Sequence, residues 1–291
     1  MTPFGSMPGG IAGLADWVKR MSASMINRII VGIILAAVVG LVVALGGVVL
    51  MAAALLCMAG TMYEMYRAVK RLAPTIQLWP MVFYVIISSV GARFWGILGV
   101  VAAFLVAVMV VFAQKILEGK LDFEGILFSV FVLLYPGLFA SLLYSLALMP
   151  DPICRMGVLM AIFMASMPDM FAYFTGMAFG KQKHKMAPVI SPKKSWEGAL
   201  GGVLGGLVTG VALYFIQSIF GMAIPLLDFV LLGGICAIAG MIGDLAASLV
   251  KRTIDIKDYS RIFMDHGGLM DRLDSVLFVA PVICLYFFLI A

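Results

Sequence analysis

Ile29-Ile-Val-Gly-Ile-Ile-Leu-Ala-Ala-Val-Val-Gly40-Leu-Val-Val-Ala-Leu-Gly46-Gly47-Val-Val-Leu-Met-Ala-Ala-Ala-Leu-Leu-Cys-Met-Ala-Gly60 runs for 32 residues without a single charge. A helix needs roughly 20 apolar residues to cross the hydrocarbon of a bilayer. The run is too long for one crossing and short for two with a loop, and Gly46-Gly47 near its middle suggests a tight reversal. Two spans are therefore expected, at about 28 to 45 and 48 to 66. Further apolar runs follow at about 77 to 91, 94 to 113, 123 to 147, 155 to 178, 196 to 220, 226 to 250 and 271 to 291, parted by short segments rich in Gly, Pro or charge. The expected fold is an all-α, polytopic integral membrane protein of about nine transmembrane helices.

The composition of the 291-residue chain agrees, with 64% hydrophobic residues, 12% charged and a mean hydropathy of +1.13. Soluble domains carry about 25% charged residues. The net charge of +5 is scattered between apolar runs, which excludes a nucleic-acid surface. Cys57, Cys154, Cys236 and Cys284 lie far apart and form no C-x-x-C pair, so they read as small apolar residues. Before the first span, Ile11, Leu14, Val18, Met21 and Met25 recur at helical spacing beside Lys19 and Arg20, as in a helix on the membrane surface. No small-residue cleavage site follows, so residues 1–27 read as an interfacial segment and not as a signal peptide. Residues 28–165 read as a transmembrane scaffold without catalytic signal, and residues 166–291 as the catalytic transmembrane region.

Short cytoplasmic loops carry most Lys and Arg. With the N-terminus inside, nine spans put 18 of the 20 basic residues on the cytoplasmic side and leave only Arg93 and Arg155 outside. The longest hydrophilic segments, about 179 to 195 and 251 to 270, fall on that same side, so chemistry is expected at the cytoplasmic face of the cell membrane.

An acid at the bilayer centre costs about 2.5–3.5 kcal/mol on insertion scales and calls for a partner or a cavity. Asp169 follows Pro168, which should bend its helix, and the carboxylate can face the bundle interior. Asp244, Ser248 and Lys251 share a helix face by their spacings of four and seven, with Arg252 adjoining. Asp271 and Asp274 open the last span three residues apart, with Arg272 turned away between them. An isolated acid of this kind is as readily a buried ion pair as a ligand; several converging at one membrane face point to a site. Their hard oxygens suit Mg2+, which takes one or two carboxylates and completes its shell from water and phosphate. With only two histidines, a zinc site is not expected. Lys251, Arg252, Lys257, Arg261, Arg272 and the Lys181–Lys194 loop surround the acids. Acids inside a basic shell describe a metal-assisted site for a polyanion, although positive-inside bias alone would place many of these lysines there. His266-Gly267-Gly268 then precedes Asp271, where glycines let backbone N–H groups approach a phosphate at a helix start.

The segment Ser248-x2-Lys251-Arg252-x4-Lys257-Asp258-x7-His266-Gly-Gly-x2-Asp271-Arg272-x-Asp274 resembles the hallmark of the phosphatidate cytidylyltransferases, or CDP-diacylglycerol synthases. Ser191-Pro-Lys-Lys-Ser-Trp196-Glu197-Gly198 is similar to that family's Ser-Pro-Lys-Lys-Thr-Trp-Glu-Gly loop, and Asp169-x2-Ala-Tyr173-x2-Gly176 precedes it as the family pattern would. The resemblance covers roughly residues 166 to 275. Three departures stand out: Met264-Asp265 where the family has Pro-Gly, Ala247 where a glutamate is common, and Pro168 where a small residue is usual.

The resemblance implies transfer of a cytidylyl group from CTP to phosphatidic acid, with Mg2+ and in some form a second metal or a monovalent cation. It assigns Asp244, Asp271 and Asp274 to metal and catalysis, with Lys251 and His266 also catalytic. Ser248, Arg252, Lys257, Gly267, Gly268, Arg272, Lys193 and Lys194 are the expected substrate contacts. Lys193 to Glu197 also read as an interfacial anchor, with Ser195 capping the next helix. Membrane lipids and a second copy of the chain, as a homodimer, are the further partners implied. A polyprenol kinase, a CDP-archaeol-type synthase and a cation or proton transporter relaying through Asp169 and Asp244 are the rival readings. Gly198, Gly202, Gly206 and Gly210, every four residues, read as a surface for close helix packing.

Overall fold

The computed structural model describes residues 32–119, 121–180, 184–263 and 267–290. Within them, α1 (Gly32–Leu45) is a short apolar helix. It is followed by α2 (Gly47–Val69), α3 (Trp79–Leu117), α4 (Phe123–Val132), α5 (Phe139–Ala147), α6 (Ile153–Phe179), α7 (Trp196–Ile216), α8 (Leu226–Thr253) and α9 (Met270–Ile290). A two-stranded antiparallel hairpin, β1 (Lys185–Ala187) and β2 (Ser191–Ser195), joins α6 to α7. Among the described residues seven helical segments are long and apolar enough to cross a membrane. The chain is an all-α polytopic membrane protein, as its hydropathy requires. The expected interfacial segment at 1–27 lies outside the described residues.

Two glycines make the breaks that divide the apolar runs. Gly46 takes φ 58° between α1 and α2, where the sequence placed a reversal. Gly96 takes φ 57° inside α3. A straight helix would hold residues eight apart at about 12 Å. Instead a Cβ built on Gly91 would stand 2.6 Å from the Gly99 carbonyl oxygen, so α3 folds back on itself at Gly96. The turn expected near 92 and 93 thus falls a few residues later, at the residue for which positive φ carries no steric cost.

α4 and α5 form one apolar segment with a defect in it. Residues 133–138 make a π-type turn around Pro136, and Tyr135 before the proline is extended (φ −128°, ψ 110°). Proline withholds a backbone donor and disfavours helical geometry in the residue ahead of it. The defect turns the Tyr135 ring inward, where it meets Phe131, Phe139 and Phe278 edge to face.

α6, α7 and α8 pack closest. Gly206 of α7 lies against Gly233 of α8, backbone to backbone, while Gly198 and Gly202 face Ala172 and Pro168 of α6. The every-fourth glycine stripe therefore performs the packing role its spacing suggested. Small residues let helix backbones approach where lipid offers no hydrophobic drive toward association. One core gathers residues of α1, α2, α3 and α5 to α9, including Met156, Met160, Cys236, Cys284 and Phe287, all buried. A second gathers residues of α2 to α5, α8 and α9 around Met58, Met65, Tyr84 and Leu277.

Polar ties mark the two ends of the bundle. At one end Lys115 is buried and donates to Asp122 Oδ2 (2.7 Å) and to the Thr75 carbonyl (3.0 Å). That hydrogen bond holds the Asp122 carboxyl down at about 2 while Asp122 caps α4. At the other end Arg155 pairs with Asp151 and donates to the Ala44 carbonyl (3.3 Å). Tyr286 donates to Asp228 (2.7 Å).

Candidate active site

Three helices deliver the acids. Counting residues back from the helix ends at about 1.5 Å each, Asp169 lies about 15 Å below the end of α6 and Asp244 about 14 Å below that of α8. Asp274 is in the second turn of α9. Gly243 packs on the Asp274 backbone, which brings α8 and α9 together at this level. Ser275 Oγ donates to Asp169 Oδ2 (3.2 Å), which ties in α6. Asp169, Asp244 and Asp274 lie close enough for each charge to act on the others.

Asp271 has a different surrounding. Its Oδ1 receives the Lys251 ammonium at 2.7 Å, and its Oδ2 accepts the backbone N–H groups of Tyr259 and Gly268, both at 2.9 Å. The carboxylate is only 4% exposed. It sits in the first turn of α9, where the helix dipole favours an anion. A Cβ on Gly267, which holds φ 78°, would stand 2.9 Å from this carboxylate, so the glycine is there for room as well as for its backbone angle. Asp271 is thus engaged by protein donors on both oxygens, and the Gly268 N–H serves it directly.

Glu64 of α2 clamps the same loop from below. Its carboxylate accepts from Ser260 Oγ (2.6 Å), Leu269 N (3.0 Å) and Met270 N (2.7 Å) and is 3% exposed. Two otherwise orphaned N–H groups at the start of α9 find their acceptor here. Tyr259 completes the loop by donating from its hydroxyl to the Ala247 carbonyl (3.1 Å), with the Lys251 ammonium over its ring. Burial, with Asp271 alongside, pushes the Tyr259 phenol well above its ordinary range, so it remains a neutral donor.

The β hairpin covers Asp244. Lys194 Nζ meets Asp244 Oδ2 at 2.5 Å, and Arg252 of α8 reaches the Ile190 carbonyl at 3.5 Å. Ser195 caps α7 by accepting from Gly198 N (3.1 Å), as expected. Glu197 pairs with His184. Ser248 lies between Asp244 and Lys251 on α8, partly buried, while Lys193, Lys257 and Arg272 are exposed around the rim. His266 lies outside the described residues.

Of the residues singled out from sequence, Asp169, Asp244, Ser248, Lys251, Asp271, Asp274, Lys194, Gly267 and Gly268 come together. Glu64, Tyr135, Tyr259 and Ser260 were missed. Glu64 had a usable signal, being the lone acid of the span Gly47–Val69. Tyr135 had one too, in the proline and glycine that follow it inside an apolar run.

Among the described residues no three His, Cys, Asp or Glu side chains converge tightly enough to cage an ion. Magnesium does not demand such a cage, since one or two carboxylates with water and phosphate suffice. The donors fit on that condition. Asp244 meets Lys194 through Oδ2 and Asp274 accepts the Ser275 N–H on Oδ1 (2.8 Å), which leaves each its other oxygen, whereas Asp271 would first have to release Lys251.

The fold and the site define a class: a helical, multi-span membrane protein with buried acids under a basic rim at one end of the bundle. The sequence model of the Cytidylyltransferase family matches residues 26–290, and the chain belongs to that family. It is 40% identical over 156 residues to the phosphatidate cytidylyltransferase of Aquifex aeolicus, covering 53% of this chain and 54% of that one. It is 39% identical over 127 residues to the phosphatidate cytidylyltransferase of Haemophilus influenzae, covering 42% of each. It is 44% identical over 109 residues to that of Mycobacterium bovis, covering 38% of this chain and 34% of the relative. These alignments span about half or less of the relatives' lengths.

Proposed function

We propose that the protein transfers the cytidylyl group of CTP to the phosphate of phosphatidic acid, giving CDP-diacylglycerol and pyrophosphate. The observation that carries this reading is the meeting of Asp169, Asp244 and Asp274 from three helices beneath Lys194, Lys251 and the basic rim. A lipid phosphate oxygen attacks the α-phosphorus, the bond to the β-phosphate oxygen breaks, and pyrophosphate leaves with the electron pair. A phosphate monoester is already anionic near neutral pH, so no strong general base is needed. The obstacle is repulsion between two anions, which positioned cations relieve.

Mg2+ held by Asp244 and Asp274 would supply charge neutralisation at the phosphates. Asp271 would join as a ligand only by giving up the Lys251 ammonium, which would then be free to meet phosphate. Asp169 is the remaining acid of the cluster for a second metal or a monovalent cation. Lys193, Lys194, Arg252, Lys257, Arg272, Ser248 and His266 are the proposed phosphate contacts, with Gly267 and Gly268 shaping the loop. The relatives' name, phosphatidate cytidylyltransferase, supports both substrates. Labelled CTP tests the reaction: α-phosphate label enters the lipid product in cytidylyl transfer, whereas entry of γ-label instead would mean a kinase.

The breaks at Gly46 and Gly96 support a count of nine spans, with the N-terminus and the site on the cytoplasmic side of the cell membrane. A cysteine placed at Lys257 should react with a membrane-impermeant maleimide only from the cytosolic side; reaction from outside would reverse the orientation. A homodimer in the lipid bilayer completes the proposal, and cross-linking in native membranes tests it: recovery of monomer alone would remove that part.

A further inference from the structure

Tyr135 belongs to the part of the chain read as scaffold, yet its ring packs on Phe278, one turn from Asp274. It is 5% exposed, and its hydroxyl has no hydrogen-bond partner among the described residues. Buried polar groups are almost always paired, so an orphan hydroxyl asks for an explanation. Chance misplacement is a poor one here, because the ring is held edge to face by Phe131, Phe139 and Phe278 at centroid separations of 5.4–6.0 Å. Phe278 is one turn beyond Asp274 on α9, so the same helix positions ring and acid. The hydroxyl lies within electrostatic reach of Asp274, Asp244, Asp271 and the Tyr259 hydroxyl, but is bonded to none of them. Its depth agrees: Tyr135 is twelve residues into the segment Phe123–Ala147, about 18 Å from its start, against about 14 and 15 Å for Asp244 and Asp169.

We infer that the Tyr135 hydroxyl donates a hydrogen bond to a phosphate oxygen of the substrate bound among α6, α8 and α9, which makes it a substrate-positioning contact contributed by the first half of the chain. This rests on the phosphoryl-group reading proposed above. A neutral donor suits the place. The carboxylates around it accept only, and a lysine there would be drawn into an ion pair with them, as Lys194 and Lys251 are. The π-type turn at Pro136 supplies the geometry by taking Tyr135 out of the helical path, and such local departures from α geometry recur at functional sites. The phosphate involved is that of the nucleotide or that of the lipid, and kinetics separates the two.

The test is Tyr135→Phe in the full-length protein reconstituted in phosphatidate-containing liposomes, with turnover measured against CTP and against phosphatidate in turn. Phenylalanine keeps all three ring contacts and removes only the oxygen. The expected result is a loss of tenfold or more in kcat/KM at an unchanged or higher thermal midpoint. A raised KM for CTP places the bond on the nucleotide, and a raised KM for phosphatidate places it on the lipid. Equal kcat/KM in the two proteins overturns the inference while leaving the reaction in place. A loss that tracks a lowered thermal midpoint also overturns it, by assigning the hydroxyl to the fold. A wild-type protein without turnover overturns the reaction and this inference together.

Discussion

Asp271 shows how one carboxylate can close a fold beside the proposed site of chemistry. Its three donors come from α8, from the Tyr259 backbone and from Gly268, so it closes the loop between the last two helices. Asp271→Asn keeps the shape but leaves the Lys251 ammonium, 14% exposed, without its anion. Breaking a buried ion pair on one side costs about 3–5 kcal/mol. The variant should therefore lose both thermal stability and turnover; turnover lost with the midpoint unchanged would show that the ion pair contributes little to the fold. Glu64 allows a cleaner separation. Glu64→Gln retains one carbonyl acceptor for the α9 N–H groups, whereas Glu64→Ala leaves them both unpaired at about 1–3 kcal/mol each. Stability measured by thermal melting should fall in the order wild type, Gln, Ala, and activity should follow it. An alanine variant as stable as wild type would contradict the clamp.

At the scale of elements, the site depends on close approach of α6, α7 and α8. Gly206→Leu would drive a side chain into the Gly233 backbone, force α7 and α8 apart and displace Asp244. Overpacking of this kind costs about 1–3 kcal/mol and often more where backbone is the obstacle. A loss of activity larger than for Gly40→Leu, whose built Cβ meets nothing within 4 Å, is expected from an assay of both variants normalised to folded protein. Equal losses would mean that the glycine stripe does not position the acids. These elements were legible in the sequence because apolar run length reports spans and a four-residue glycine period reports one helix face. The Ser195 cap was legible for the same local reason. The fold-back at Gly96 was misplaced by a few residues because Arg93 interrupts the apolar run nearby and drew the boundary to itself.

Across the whole molecule, the second half carries the motif and the first half holds it in place. Asp244, Lys251, Asp271 and Asp274 were found because charge inside an apolar span is conspicuous. Glu64 and Tyr135 left only a local trace, a lone acid in an apolar span and a Pro-Gly pair, because their meaning comes from residues about 200 and 140 positions away along the chain. Nor could spacing reveal that Asp271 is bonded on both oxygens within the protein. The central claim is that the acids facing one another across α8 and α9 hold a divalent cation against substrate phosphate. Anomalous diffraction from crystals grown with Mn2+ and CTP tests this most directly. The predicted result is a single strong peak in contact with the Asp244 and Asp274 carboxylates and a nucleotide phosphate. Nucleotide bound with the metal elsewhere would contradict it.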